Sequence, residues 1–145
     1  MDSVEILLIE DNMHEAELAI RSLKKNNLTN KLLHINDGAN ALNFLFAEGK
    51  YSGRNVKDQP KLILLDLKLP KIDGLEILKR IKSDERTKTI PVIMLTTSRE
   101  EEDILNSYKY GVNSYIVKPV NFDSFSKAVS ELGMYWMLLN VRPSQ

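Results

Sequence analysis

The chain has 145 residues, no cysteine, and 20 basic residues balanced by 20 acidic ones. That length supports one domain with a single core. The neutral balance gives no broad attraction to nucleic acid or an anionic membrane, and the absence of cysteine excludes disulfides and thiolate metal sites. No apolar run approaches the roughly 20 residues that span a bilayer, and the start, Met1-Asp2-Ser3-Val4-Glu5, lacks a basic segment followed by an apolar one. The expectation is a cytoplasmic, soluble protein forming one domain over residues 1–145.

Val4 to Ile9 reads as a short apolar strand that stops at Glu10-Asp11-Asn12. From Asn12 the apolar residues Ala16, Ala19, Ile20 and Leu23 recur at three and four, which predicts a helix closed by Asn26-Asn27. Leu32 to Ile35 is a second strand, followed by Asp37-Gly38 and a helix carrying Ala41, Leu42, Leu45 and Phe46. Residues 48–61, rich in Gly, Lys and Ser, predict a mobile polar surface loop.

Leu62-Ile63-Leu64-Leu65 is an uninterrupted apolar run, the pattern of a strand buried on both faces in a parallel sheet, and it ends on Asp66. A charge so close to a core is costly unless compensated, so Asp66 is expected at the open carboxyl end of its strand, where open α/β sheets bind ligands. A turn with Pro70 and Gly74 leads to a helix with Leu75, Ile77, Leu78 and Ile81 inward and Lys79, Arg80 and Lys82 outward. Ile90 to Leu95 is the next strand, ending at Thr96-Thr97-Ser98. Arg99 to Tyr110 is an acidic helix with only Ile104, Leu105, Tyr108 and the following Val112 to bury, and is expected to be the least firmly anchored element. Ser114 to Val117 is the fifth strand, ending at Lys118-Pro119, and a last helix starts near Phe122.

Strand and helix thus alternate five times, which specifies a doubly wound five-stranded parallel sheet, (βα)5, with helices on both faces. Its strand ends bring Glu10, Asp11, Asp66, Thr96 and Lys118 to one edge. Three carboxylates there repel, each pair by about 4 kcal/mol at roughly 4 Å and an effective dielectric near 20, so a positive partner is required. An all-oxygen cluster favours a hard cation, and Mg²⁺ fits better than Ca²⁺ because it uses few protein ligands and leaves its waters for a phosphate. With Lys118 as a second positive charge and Thr96 as a hydroxyl donor, the edge would surround a phosphoryl group on Asp66, the carboxylate acting as nucleophile. Taken singly, these residues also have plainer readings: Glu10 and Asp11 as an acidic first helical turn, Asp66 as a cap, Thr96 as a hydroxyl satisfying backbone, Lys118-Pro119 as a solvated loop, and Tyr115 as a half-buried strand aromatic.

Over essentially its whole length the sequence resembles the receiver domain of two-component response regulators, whose fold is the flavodoxin-like (CheY-like) one. The resemblance places the family's acidic pair on Glu10 and Asp11, its phosphoacceptor on Asp66, its switch hydroxyl on Thr96, its switch aromatic on Tyr115 and its lysine on Lys118, before Pro119. It further implies that the backbone carbonyl of Lys68 completes the protein ligands to Mg²⁺, and that the phosphoryl group comes from a histidine kinase or a relay phosphohistidine. Glu10 is a methylene longer than the frequent Asp, and Thr97 replaces the usual small residue after the switch hydroxyl.

In the last helix Phe122, Phe125, Val129, Leu132, Trp136 and Leu139 are spaced to pack on the sheet, while Met134, Tyr135, Met137, Leu138 and Val141 make its end apolar nearly all round. Such an end is expected either to cover its own sheet or to meet a partner or a second copy in a homodimer. This end and the polar loop before Asp66 resemble the small response regulators of bacterial phytochrome kinases. Two other functions share parts of the pattern: an aspartyl-nucleophile phosphohydrolase, which typically carries a second acid where this chain has Lys68, and an interaction module that keeps the fold without phosphorylation. No basic recognition element supports DNA binding. His14 and His34 are read as exposed surface histidines.

Overall fold

The apolar runs become strands and the three-and-four patterns become helices. The computed structural model describes residues 3–25, 31–121, 123–125 and 127. In chain order the elements are β1 (Ile6–Ile9), α1 (Met13–Lys25), β2 (Leu32–Ile35), α2 (Gly38–Leu45), a 3₁₀ turn (Gly49–Tyr51), β3 (Leu62–Leu65), α3 (Gly74–Ser83), β4 (Val92–Thr96), α4 (Glu101–Lys109) and β5 (Ser114–Val117). All pairings are parallel, in the order β2-β1-β3-β4-β5. This is the flavodoxin-like doubly wound sheet, and its strand order reverses between β1 and β3, the crevice where such sheets take ligands.

Strand parity divides the core in two. Leu7, Ile9, Ile63, Leu65, Val92 and Met94 pack with Ala41, Leu42, Phe44 and Leu45 of α2 and Ile77, Leu78 and Ile81 of α3. The alternate residues Ile6, Leu8, Leu62, Leu64, Ile93 and Leu95 meet Ala16 and Leu23 of α1 and Phe125 on the other face. Each fully buried Leu or Ile contributes about 1.5–3 kcal/mol, so β1, β3 and β4, buried at every residue, form a rigid base for whatever their ends carry. Asn121 starts the last helix by accepting from Ser124 N–H through its side chain and from Phe125 N–H through its carbonyl. The expectations for Phe122 and for the apolar end of that helix, and the Asn26-Asn27 helix stop, fall outside the described residues. Among the described residues no helix is long and apolar enough to cross a membrane.

Several local expectations are corrected. The segment 48–61 is not free: Arg54 donates to the carbonyls of Phe44 and Asp58 and stacks on the Phe44 ring 3.7 Å from its centre, and the Gln59 amide donates to the Leu45 and Val56 carbonyls. Lys82 turns inward, its Nζ donating to Ile90 O at 2.7 Å and to Asn113 Oδ1 at 3.1 Å, because its long stem reaches a carbonyl left just before β4 begins. In α4, Leu105 and Tyr108 stay exposed, and the helix buries only Ser107, whose hydroxyl donates to Asp103 O at 2.7 Å. The weak anchoring of α4 is therefore greater than its sequence implied.

Candidate functional site

Register carries the first two acids together. Ile9 is paired with Leu65, so Glu10 and Asp66 are the next residues of neighbouring strands, and Asp66 N–H donates to Ile9 O at 3.0 Å. Asp11 follows directly, and one carboxylate oxygen from each of Glu10, Asp11 and Asp66 lies within 4.8 Å of the other two. Glu10 and Asp66 are buried, whereas Asp11 is exposed. From the far side of the sheet, β5 pairs with β4 and Lys118 N–H donates to Thr96 O at 2.8 Å, which directs the Lys118 side chain inward. Its ammonium lies against Glu10 Oε1, 3.2 Å from Asp66 Oδ2 and 4.0 Å from Glu15 Oε2 on the first turn of α1. The Lys118-Pro119 peptide is cis.

The electrostatics follow from this crowding. Burial, and next the neighbouring Asp66, push the Glu10 carboxyl up from 4.5 to about 7, with the Lys118 ammonium pulling the other way. Lys118 is raised above the ordinary lysine value: burial lowers it, but its bond to Glu10 and the charges of Asp66 and Glu10 outweigh that. Two buried acids sharing one ammonium leave negative charge uncompensated beside exposed Asp11. Oxygen-only donors at that spacing suit a small hard cation.

The strand ends are held from behind. Asp66 Oδ1 accepts from Lys68 N–H at 3.2 Å. Gly74 N–H donates to Leu67 O at 2.9 Å, and a Cβ at Gly74 would lie 2.3 Å from Asp66 O and 2.7 Å from Leu67 Cα, so only glycine lets α3 start this close to the acid. Asp73 then caps α3 by accepting from Leu75 N–H at 2.9 Å.

Thr96 ends β4 fully buried, and its Oγ1 accepts from Ser98 N–H at 3.3 Å. Tyr115 is half-buried on β5 and donates its hydroxyl to Ser98 O at 3.0 Å. The Ser98 hydroxyl donates to Asp103 Oδ2 at 2.6 Å, and the Lys68 ammonium lies 3.8 Å from that same oxygen. Thr96, Tyr115, Lys68 and the first turn of α4 thus converge on Ser98 and Asp103. The geometry brings Glu10, Asp11, Asp66 and Lys118 into one cluster and sets Thr96 and Tyr115 beside it, joined through Ser98. The Lys68 side chain points away from the acids to Asp103 while its N–H serves Asp66.

Three participants escaped the sequence reading. Ser98 and Asp103 lie in a loop and a helix that carry no periodic signal for each other. His34 is half-buried, not exposed: its Nε2 is 2.7 Å from Glu10 O. Its place on a strand whose neighbour ends in an acid was the available clue. His14 is exposed, as read.

The Response regulator receiver domain family matches residues 6–130. The probable methanogenesis regulatory protein FilR2 of Methanothrix harundinacea is 41% identical over 139 residues, which are 95% of this chain and 86% of that one. Among solved structures, the bacteriophytochrome response regulator RtBRR is 44% identical with a TM-score of 0.84, over 98% of this chain and 85% of that one. The Mn²⁺-bound form of response regulator Rcp1 is 38% identical with a TM-score of 0.76, over 99% of this chain and all of that one.

Proposed function

The chain belongs to the response regulator receiver family, signalling proteins of phosphorelays, and on that premise we propose that Asp66 is its phosphoacceptor. The observation that carries the assignment is the ammonium of Lys118 held 3.2 Å from Asp66 Oδ2, among three carboxylates at the crevice of the sheet. Glu10, Asp11 and Asp66, with the backbone carbonyl of Lys68, would hold Mg²⁺, which when bound supplies positive charge to the oxygens of the transferred group. That the related Rcp1 has a Mn²⁺-bound form supports binding of a divalent ion by this chain.

A carboxylate oxygen of Asp66 attacks the phosphorus of a phosphohistidine on a histidine kinase or phosphotransfer protein. The new P–O bond forms as the P–N bond breaks, and the imidazole nitrogen keeps the bonding pair and is free to take up a proton. Lys118 compensates the charge gathering on the phosphoryl oxygens, and the Thr96 hydroxyl has its proton free to donate to one of them. Small phosphodonors serve the same carboxylate, so the chemistry of the chain itself is limited to taking up and losing one phosphoryl group.

Drawing Thr96 toward the phosphoryl loosens the Ser98 N–H contact at 3.3 Å. Ser98 carries the Tyr115 hydroxyl on its carbonyl and Asp103 on its hydroxyl, so a shift there reaches β5 and the first turn of α4 together. With only Ser107 buried, α4 has little to resist it. Reversing a 1:99 equilibrium takes about 5.5 kcal/mol of differential interaction, within reach of a few charge-assisted bonds. The face of α4, β5 and the following helix then presents the signal to a separate cytoplasmic protein.

Incubation with acetyl phosphate and Mg²⁺ tests the assignment by intact-mass spectrometry. One phosphoryl is expected on the wild type and none on Asp66→Ala; an adduct that survives Asp66→Ala defeats it. The aspartyl phosphohydrolase reading is weakened by Lys68, which engages Asp103 where such an enzyme needs a second acid.

A further inference from the structure

We infer that His34 is a positioning residue for the metal ligands Glu10 and Asp11, and that the divalent-ion affinity of the site depends on its ring. The inference rests on the assignment of the acidic cluster as a metal site. Glu10 stands one residue beyond the last β1–β2 pair, Ile9 with Ile35. Its N–H still follows the ladder, donating to Ile35 O at 3.1 Å. β2 then departs: Asp37 turns to cap α2, accepting from Asn40 N–H at 2.8 Å. At that point the Glu10 carbonyl is taken by a side chain, His34 Nε2 at 2.7 Å. A carbonyl oxygen only accepts, so Nε2 carries the hydrogen and the neutral ring is the Nε2–H tautomer.

The consequence lies in which peptide is held. The carbonyl of Glu10 belongs to the same planar unit as the N–H of Asp11, so a bond to that oxygen sets the plane from which both acids project. The Glu10 side chain is fixed at its other end by Asn12 N–H, 3.3 Å from Oε2, and by Lys118 on Oε1. Asp11 is exposed. Asp11 stands between two held peptides: the one before it through the Glu10 carbonyl on His34, the one after it through Asn12 N–H on Glu10 Oε2, so losing the His34 bond frees one side of the residue. Hydrogen bonds that orient metal ligands are typically worth about 10–100-fold in affinity; a contact acting through the ligands' backbone belongs at the lower end, about tenfold.

The test is calorimetric titration of the full chain with Mg²⁺, repeated with Mn²⁺, on wild type, His34→Leu and His34→Gln. Leucine keeps the apolar bulk and removes the donor, whereas the glutamine amide can donate to the same carbonyl. About tenfold weaker binding by His34→Leu is expected, with His34→Gln recovering most of it. Metal should also raise the unfolding midpoint less in His34→Leu than in wild type. Equal affinity of His34→Leu and wild type overturns the inference, as does a glutamine variant no better than leucine. Should His34→Leu fail to fold, ¹⁵N spectra of the wild-type ring still decide: the Nε2–H tautomer is expected, and Nδ1–H overturns the inference. Failure of the wild type to bind either ion is a separate result, and removes the metal-site assignment itself.

Discussion

Replacing Lys118 by methionine keeps the stem and deletes the charge, which isolates what the ammonium does for the buried acids. It lies 3.2 Å from Asp66 Oδ2 and touches Glu10 Oε1, with only 9% of its side chain exposed. At that separation and an effective dielectric near 20, each attraction is about 5 kcal/mol before desolvation, and deleting one partner of a buried pair usually costs about 3–5 kcal/mol. Here the loss should be smaller. Glu10 already has its carboxyl pushed up to about 7, and without the Lys118 contact that lowers it, it takes up a proton instead of remaining an unpaired charge. Only Asp66 is then left uncompensated, and the loss should be about 2 kcal/mol. Near this chain length that is a fall of about 4–8 °C in unfolding midpoint, measurable by circular dichroism. Its dependence on conditions is the sharper readout. The variant's deficit should shrink from about pH 8 to about pH 6 as Glu10 is protonated, and shrink again when Mg²⁺ restores positive charge. A deficit indifferent to both would refute the role of Lys118 as counter-charge.

Other predictions follow from the same cluster and its supports. Because Glu10 is raised from 4.5 to about 7, its neutral form contributes stability that is complete below 4.5 and is lost as pH rises through about 7. Metal ligands must be deprotonated, so Mg²⁺ affinity should level off above about pH 7 and fall by up to about tenfold per unit below it, with proton release in calorimetry. A Mg²⁺ affinity flat from pH 5 to pH 8 would contradict this. Gly74→Ala should cost about 1–3 kcal/mol in urea unfolding, since the new methyl meets Asp66 O at 2.3 Å, and it should slow phosphorylation as well; a neutral result would show that the turn can shift freely. Asp103→Ala removes the acceptor of the Ser98 hydroxyl and the partner of Lys68, so hydrogen exchange of residues 101–109 should quicken while β3 stays protected.

The legible part of this protein was its sheet and the residues at its rim. Continuous apolar runs such as Leu62 to Leu65 permit little but a strand covered on both faces, and with the two mixed runs Leu32 to Ile35 and Ser114 to Val117 they make five strands alternating with helical periods, which leave few topologies. Because strand ends share one edge, Glu10, Asp11, Asp66 and Lys118 could be placed together without knowing a distance. What resisted reading depended on the reach of polar side chains across the chain. Nothing in the spacing of Lys82 and Ile90 tells that the amine will bend to that carbonyl, and nothing in Arg54 announces that it will fasten an otherwise polar loop to Phe44. The exposure of Leu105 and Tyr108 on α4 was hidden for a related reason: periodicity marks a face that can be buried, but a neighbouring element decides whether it is.

The central claim is that one particular carboxylate among three adjacent ones takes the phosphoryl group. Phosphorylation of the wild type with a small phosphodonor and Mg²⁺, reduction of the acyl phosphate with borohydride, and peptide sequencing by mass spectrometry test it most directly. The modified residue should be Asp66, and its labelling should vanish when the divalent ion is chelated. Modification at Glu10, Asp11 or His14, or labelling of Asp66 that persists without metal, would contradict the account.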